Sequence, residues 1–110
     1  MATEADRALI ERVSRLLEPF GVTSRPLFGG RGFYLEGAFF GFVNGGHLWL
    51  RTTDATRPEF LARGMPAFQP PNRPRGPKTV DRNFRVPEGV LRDDTKLVEW
   101  ALRAAKTARE

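Results

Sequence analysis

The chain has no cysteine. That excludes disulfides and thiolate zinc sites, and it leaves the redox compartment open. There is one histidine, His47, and there are two serines, Ser14 and Ser24. A histidine–carboxylate zinc site usually takes at least three protein ligands, two of them commonly histidine, so it cannot be assembled here. Neither serine lies in a Gly-x-Ser-x-Gly elbow, and nucleophilic catalysis has little to stand on. Long apolar runs are also missing. The longest, Ala38 to Val43, is interrupted by Gly41 and falls far short of the ~20 residues that cross a bilayer. The first residues, Met1 to Asp6, are acidic and polar where a secretory signal is basic and then apolar. A cytoplasmic protein without membrane contact is the expectation.

What is present suits one domain spanning residues 1–110, with 40% hydrophobic residues that include nine phenylalanines. The formal net charge is +5, unevenly placed. Arg73, Arg75, Lys78, Arg82 and Arg85 stand against Asp81 alone in their stretch, and the rest of the chain is close to neutral. A role in anion or nucleic-acid contact would therefore sit in that segment.

Hydrophobic periodicity divides the chain. Leu9, Val13, Leu16, Leu17 and Phe20 share a face of a helix over residues 3–20, with a capping box at Thr3 and Asp6 and a Glu11–Arg15 pair on the wet side. From Val22 the period becomes two, which predicts strands over 24–28, 32–36, 38–43 and 47–51. Glu36-Gly37 and Asn44-Gly45-Gly46 supply tight turns, so the strands are antiparallel. Ala38, Phe40 and Phe42 are expected on one face of the third strand, and Phe39 and Val43 on the other. Both faces being apolar, that strand is central. Leu48 and Leu50 point inward, opposite His47, Trp49 and Arg51. Residues 54–64 read as a short helix capped by Asp54 or Thr56, with Pro58 in its first turn and Gly64 at its end. The proline-rich stretch over 65–77 reads as an extended loop whose Phe68 returns to the core. Val80, Phe84 and Val86 form a final strand, and Asp93 or Asp94 caps a last helix through Ala105. The fold class is α+β in two layers. An antiparallel sheet of about five strands is flanked by N-terminal and C-terminal helices, with a short middle helix.

Two segments invite chemistry. The glycines of Phe28-Gly29-Gly30-Arg31-Gly32-Phe33 do not make a phosphate cradle, because no Gly-Lys-Ser/Thr and no helix follow. The spacing fits a Gly-x-x-Gly loop, but the motif lies between strands. Arg31-Gly32-Phe33 begins like a ribonucleoprotein motif, which breaks at Tyr34. The structural reading prevails: Phe28, Gly29, Gly30 and Gly32 permit a bulge or close backbone crossing between the first two strands. The basic segment reads either as a solvated loop or as an anion contact in which arginine offers bidentate geometry to phosphate.

Leu27-Phe28-Gly29-Gly30-Arg31-Gly32-Phe33-Tyr34 resembles the signature of the TfoX/Sxy N-terminal domain. The hairpin over Gly37–Gly46, Leu48-Trp49-Leu50-Arg51, Arg57-Pro58-x-Phe60, Gly64-Met65-x-x-Phe68, Val86-Pro87 and Leu97-x-x-Trp100-Ala101 resemble further family motifs, in order and over nearly the whole chain. The resemblance implies an antiparallel sheet flanked by helices. It also implies the role of the namesakes, bacterial regulators that promote competence-gene transcription together with the cyclic-AMP receptor protein. They carry no established catalytic residues. The expectation is a non-catalytic regulatory or interaction domain without a cofactor. It would act through a protein partner in the transcription machinery or a regulator, and a homodimer is compatible with it. The alternatives are a weak, non-specific DNA contact through Arg73, Arg75, Lys78, Arg82 and Arg85, and a small enzyme of unrecognised activity.

Overall fold

A computed structural model of the protein describes residues 4–27, 29–69 and 82–109. Helix α1 (Glu4–Leu17) buries Asp6, Leu9, Val13 and Leu17. It was expected to continue to Phe20, but the last turn tightens into a 3-10 turn over Glu18–Phe20. Pro19 within it has no backbone N–H to continue the α-helical ladder, and Gly21 closes it at φ 85°.

Five strands follow: β1 (Thr23–Leu27), β2 (Gly30–Leu35), β3 (Ala38–Asn44), β4 (His47–Arg51) and β5 (Asn83–Arg85). They pair in the order β1-β2-β3-β4-β5, each antiparallel to its neighbour. The β2–β3 turn places Glu36 and Gly37 in the left-handed region, and the β3–β4 turn does the same with Gly45 and Gly46. Two consecutive left-handed residues match the right-handed twist of the strands they join.

The expected alternation along β3 fails at one point. Phe33 pairs with Gly41 and Tyr34 with Phe39, so Phe40 is an extra residue opposite no partner. This bulge reverses the side-chain parity. Phe40 and Val43 enter the helix-covered core, whereas Phe39 and Phe42 share the other face. The expectation that Phe40 and Phe42 point the same way is thereby corrected.

Helix α2 (Arg57–Ala62) is shorter than expected, and Gly64 at φ 70° follows it. Its N-cap, Thr56, makes no side-chain capping bond. Instead, Thr53 N donates to Thr56 Oγ1 at 2.9 Å and Thr56 N to Thr53 Oγ1 at 3.3 Å. A further one-turn helix, α3 (Glu88–Leu91), follows Pro87 and buries Val90 and Leu91. Helix α4 (Asp94–Ala108) is capped by Asp93, whose side chain accepts from Lys96 N at 3.1 Å. Its Leu97, Ala101, Ala104 and Ala105 are buried.

All four helices contribute to one core against β2–β5, alongside Phe33, Phe40, Val43, Leu48, Leu50 and Phe84. The result is a two-layer α+β fold with one face of the sheet under the helices. Arg12 ties α1 to its neighbouring helices, and Asp6 ties it to the sheet. The Glu11–Arg15 pair does not form; Arg12 reaches across to α4 instead, donating to Asp94 Oδ1 at 2.6 Å and to the Leu91 carbonyl at 2.6 Å. Asp6, 4% exposed, accepts from Gly46 N at 2.5 Å and so fixes α1 to the β3–β4 turn. Thr3, the other half of the expected capping box, lies outside the described residues. Among the described residues no helix is long and apolar enough to cross a membrane.

Candidate interaction face

The bulge leaves the second face of the sheet lined by aromatic rings. Tyr34 of β2 meets Phe39 edge-on at 5.5 Å, Phe39 stacks on Phe42 at 6.0 Å, and Phe42 stacks on Trp49 of β4 at 6.3 Å. Phe68, expected to return to the core, packs on this layer instead, 4.8 Å from Phe42 and 5.1 Å from Trp49. It is held there because Pro66–Phe68 runs beside β5: Arg85 N donates to the Pro66 carbonyl at 3.0 Å and Phe68 N to the Asn83 carbonyl at 2.8 Å. Phe42 at the centre is 1% exposed, while Tyr34, Phe39, Trp49 and Phe68 are half-buried. Trp49 Nε1 donates to the Asn44 carbonyl at 3.1 Å, which fixes the indole in plane. His47 sits edge-on to Trp49 at 6.2 Å, on the rim of the layer.

Cations bracket the rings. Register places Arg25 of β1 opposite Gly32, Gly32 opposite Phe42, Phe42 opposite Trp49, and Trp49 opposite Arg85 of β5. One row across the sheet thus begins and ends in arginine. The Arg25 guanidinium lies 5.5 Å from the Tyr34 ring centroid, within cation–π range. Among the described residues, none of the five strands contains an aspartate or glutamate, whereas they hold Arg25, Arg31, Arg51 and Arg85.

The glycines of the sequence motif serve this layer and the strand beside it. Gly29 turns the chain at φ 79°. A Cβ on Gly30 would fall on the Val43 carbonyl, so the close crossing is with β3 rather than between β1 and β2. A Cβ on Gly32 would come within 3.2 Å of Leu27 Cδ2 and 3.3 Å of Phe39 Cε1, because both side chains fill the place a side chain would take. Phe28 lies outside the described residues.

Of the basic segment, Arg73, Arg75 and Lys78 also lie outside the described residues. Arg82 and Arg85 are not brought together. Arg85 joins the aromatic row, while Arg82 lines a cleft at the end of the sheet. Sequence reasoning did not pick out Arg25, Tyr34, Phe39 and Trp49 as a group. Their only signal was that β3 is apolar on both faces.

Fold and face together define a small α+β domain with a one-sided helical layer and an aromatic sheet face rimmed by arginine. The model of the TfoX N-terminal domain family matches residues 15–108, and the chain belongs to that family. It is not a known family of enzymes. Comparison with curated proteins finds no match.

Proposed function

We propose that the protein is a non-catalytic regulatory domain that acts by binding a protein partner through the aromatic face of its sheet. The observation that carries this reading is the row from Arg25 through Phe42 and Trp49 to Arg85, in strands that contain no carboxylate. Aromatic residues and arginine dominate the energetics of protein interfaces, where rings fill desolvated pockets and guanidinium groups pair at the margin. The matching surface is apolar at its centre and acidic at its rim. Family membership adds a regulator of transcription, of the competence type, as the context in which such a partner is sought.

The test is capture from the native host with three forms of the protein. Arg25→Glu/Arg85→Glu reverses the rim charge without removing a ring, and Arg15→Glu alters an exposed position on α1. A partner retained by the wild type and Arg15→Glu but lost from the double variant, at unchanged melting temperature, supports the reading. A partner bound equally by all three, or none bound by any, overturns it.

The same row gives a second reading, a weak nucleic-acid contact in which bases stack on the rings and arginines meet phosphates. It predicts a mobility shift that weakens steeply with salt and does not rank sequences.

A further inference from the structure

At the end of the sheet remote from the β3–β4 turn, a cleft of about 280 Å³ opens between the end of β4, the start of α2 and the last turn of α4. Three arginines, Arg51, Arg57 and Arg82, are among the residues that line it. Arg57 is held rigidly. Its Nε donates to Thr52 Oγ1 at 3.2 Å and its Nη1 to Asp54 Oδ1 at 3.0 Å, and its side chain is only 20% exposed. Thr52 is itself fixed: it is 3% exposed, and both its amide and its hydroxyl donate to the Arg82 carbonyl, at 2.6 and 2.9 Å. The side chains of Arg51 and Arg82 make no hydrogen bond or ion pair with any described residue. Asp54, the one carboxylate among the described lining residues, is fully exposed at 100% and pairs with Arg57.

The opposite wall is of different character. Thr107, which lines the cleft, commits its hydroxyl proton to the Ala104 carbonyl at 3.1 Å, so its oxygen is left to act as an acceptor. Thr107 and Ala108 belong to the last turn of α4, where helix carbonyls run out of partners and carry partial negative charge. A cationic wall thus faces an acceptor wall. Among the described lining residues, three arginines against one aspartate leave two positive charges, which suits a phosphate monoester near charge −2 better than a carboxylate. The volume lies at the small end of ligand sites.

We propose that this cleft binds a small phosphate monoester whose hydroxylated body hydrogen-bonds to the α4 wall. The proposal does not depend on the partner-binding face, which uses other residues on another part of the sheet.

The experiment is an amide-resolved NMR titration of the full chain with inorganic phosphate and with glycerol 1-phosphate, against glycerol and sodium chloride at matched ionic strength. Saturable shifts are expected at Thr52, Thr53, Arg57 and Thr107, with glycerol 1-phosphate binding more tightly than inorganic phosphate. Arg51→Gln/Arg82→Gln removes two guanidiniums that hold nothing else in place. It should weaken binding on the order of tenfold for each group lost, at unchanged melting temperature. Thr107→Val should erase the advantage of glycerol 1-phosphate while leaving inorganic phosphate bound. Non-saturating shifts, shifts centred on Arg25 and Arg85, or equal binding by the double variant would overturn the proposal. So would binding of a DNA duplex at these residues without binding of either small phosphate, which would make the cleft a nucleic-acid backbone contact.

Discussion

Phe39 and Phe40 are neighbours of identical chemistry with opposite fates, because one unpaired residue in β3 separates the two faces of the sheet. Phe40 is 1% exposed among Val43, Leu48 and the helices, and truncation there leaves a cavity the core cannot close. Phe40→Ala is expected to cost ~3–5 kcal/mol. Phe39 is half-buried on the aromatic face, and Phe39→Ala should cost clearly less while disturbing Tyr34 and Phe42. Denaturant unfolding of the two variants checks this; equal losses would mean that the bulge does not sort them. The distinction was not legible in the sequence. Ala38, Phe39, Phe40, Phe42 and Val43 are apolar on either side, so a reversal of parity leaves no mark on the hydrophobic pattern. Where faces differ in polarity the pattern was readable, as in β4, whose buried Leu48 and Leu50 alternate with His47, Trp49 and Arg51.

Between elements, short polar contacts set how α1 lies on the sheet, and their burial ranks them. Asp6 satisfies the Gly46 amide from a nearly closed site, whereas Arg12 meets Asp94 at a side chain 59% exposed. Asp6→Ala leaves a backbone donor without its acceptor and is expected to cost ~1–3 kcal/mol. Asp94→Ala loses an exposed ion pair and should cost under ~1 kcal/mol. Thermal unfolding of both variants tests the order, and a larger loss at Asp94 would reverse it. Most elements were readable from period and punctuation: the strands and their turns, the central place of β3, and a cap on α4 at Asp93 or Asp94, of which Asp93 supplies it. Helix α3 was not, because four residues are too few to show a helical period. The pairing of Pro66–Phe68 beside β5 was also hidden. Prolines rule out an interior strand, but they say nothing about a segment that pairs on one side only. The aromatic row shared that difficulty, since it is assembled by register across strands distant in sequence.

At the scale of the whole molecule, the sheet is a meander in which chain order and spatial order coincide. Strands β1 to β4 are joined by tight turns, while β5 waits for residues 52–82 to be looped back before it can pair. Loop closure charges entropy for that last step, so the inner strands are expected to be the most persistent part of the sheet. Amide hydrogen exchange should therefore be slowest in β3 and its partners β2 and β4, and faster in β5; uniform protection across all five strands would count against this. The placement of α4 has a consequence during synthesis. The four strands can pair as soon as they emerge, yet Leu97, Ala101, Ala104 and Ala105, which cover β3 and β4, are translated after them. A nascent chain that pairs these strands early has only α1 to cover them, and the part of the sheet under α4 stays open until α4 is made. During that interval it depends on rapid elongation, or on a chaperone, to stay out of aggregates.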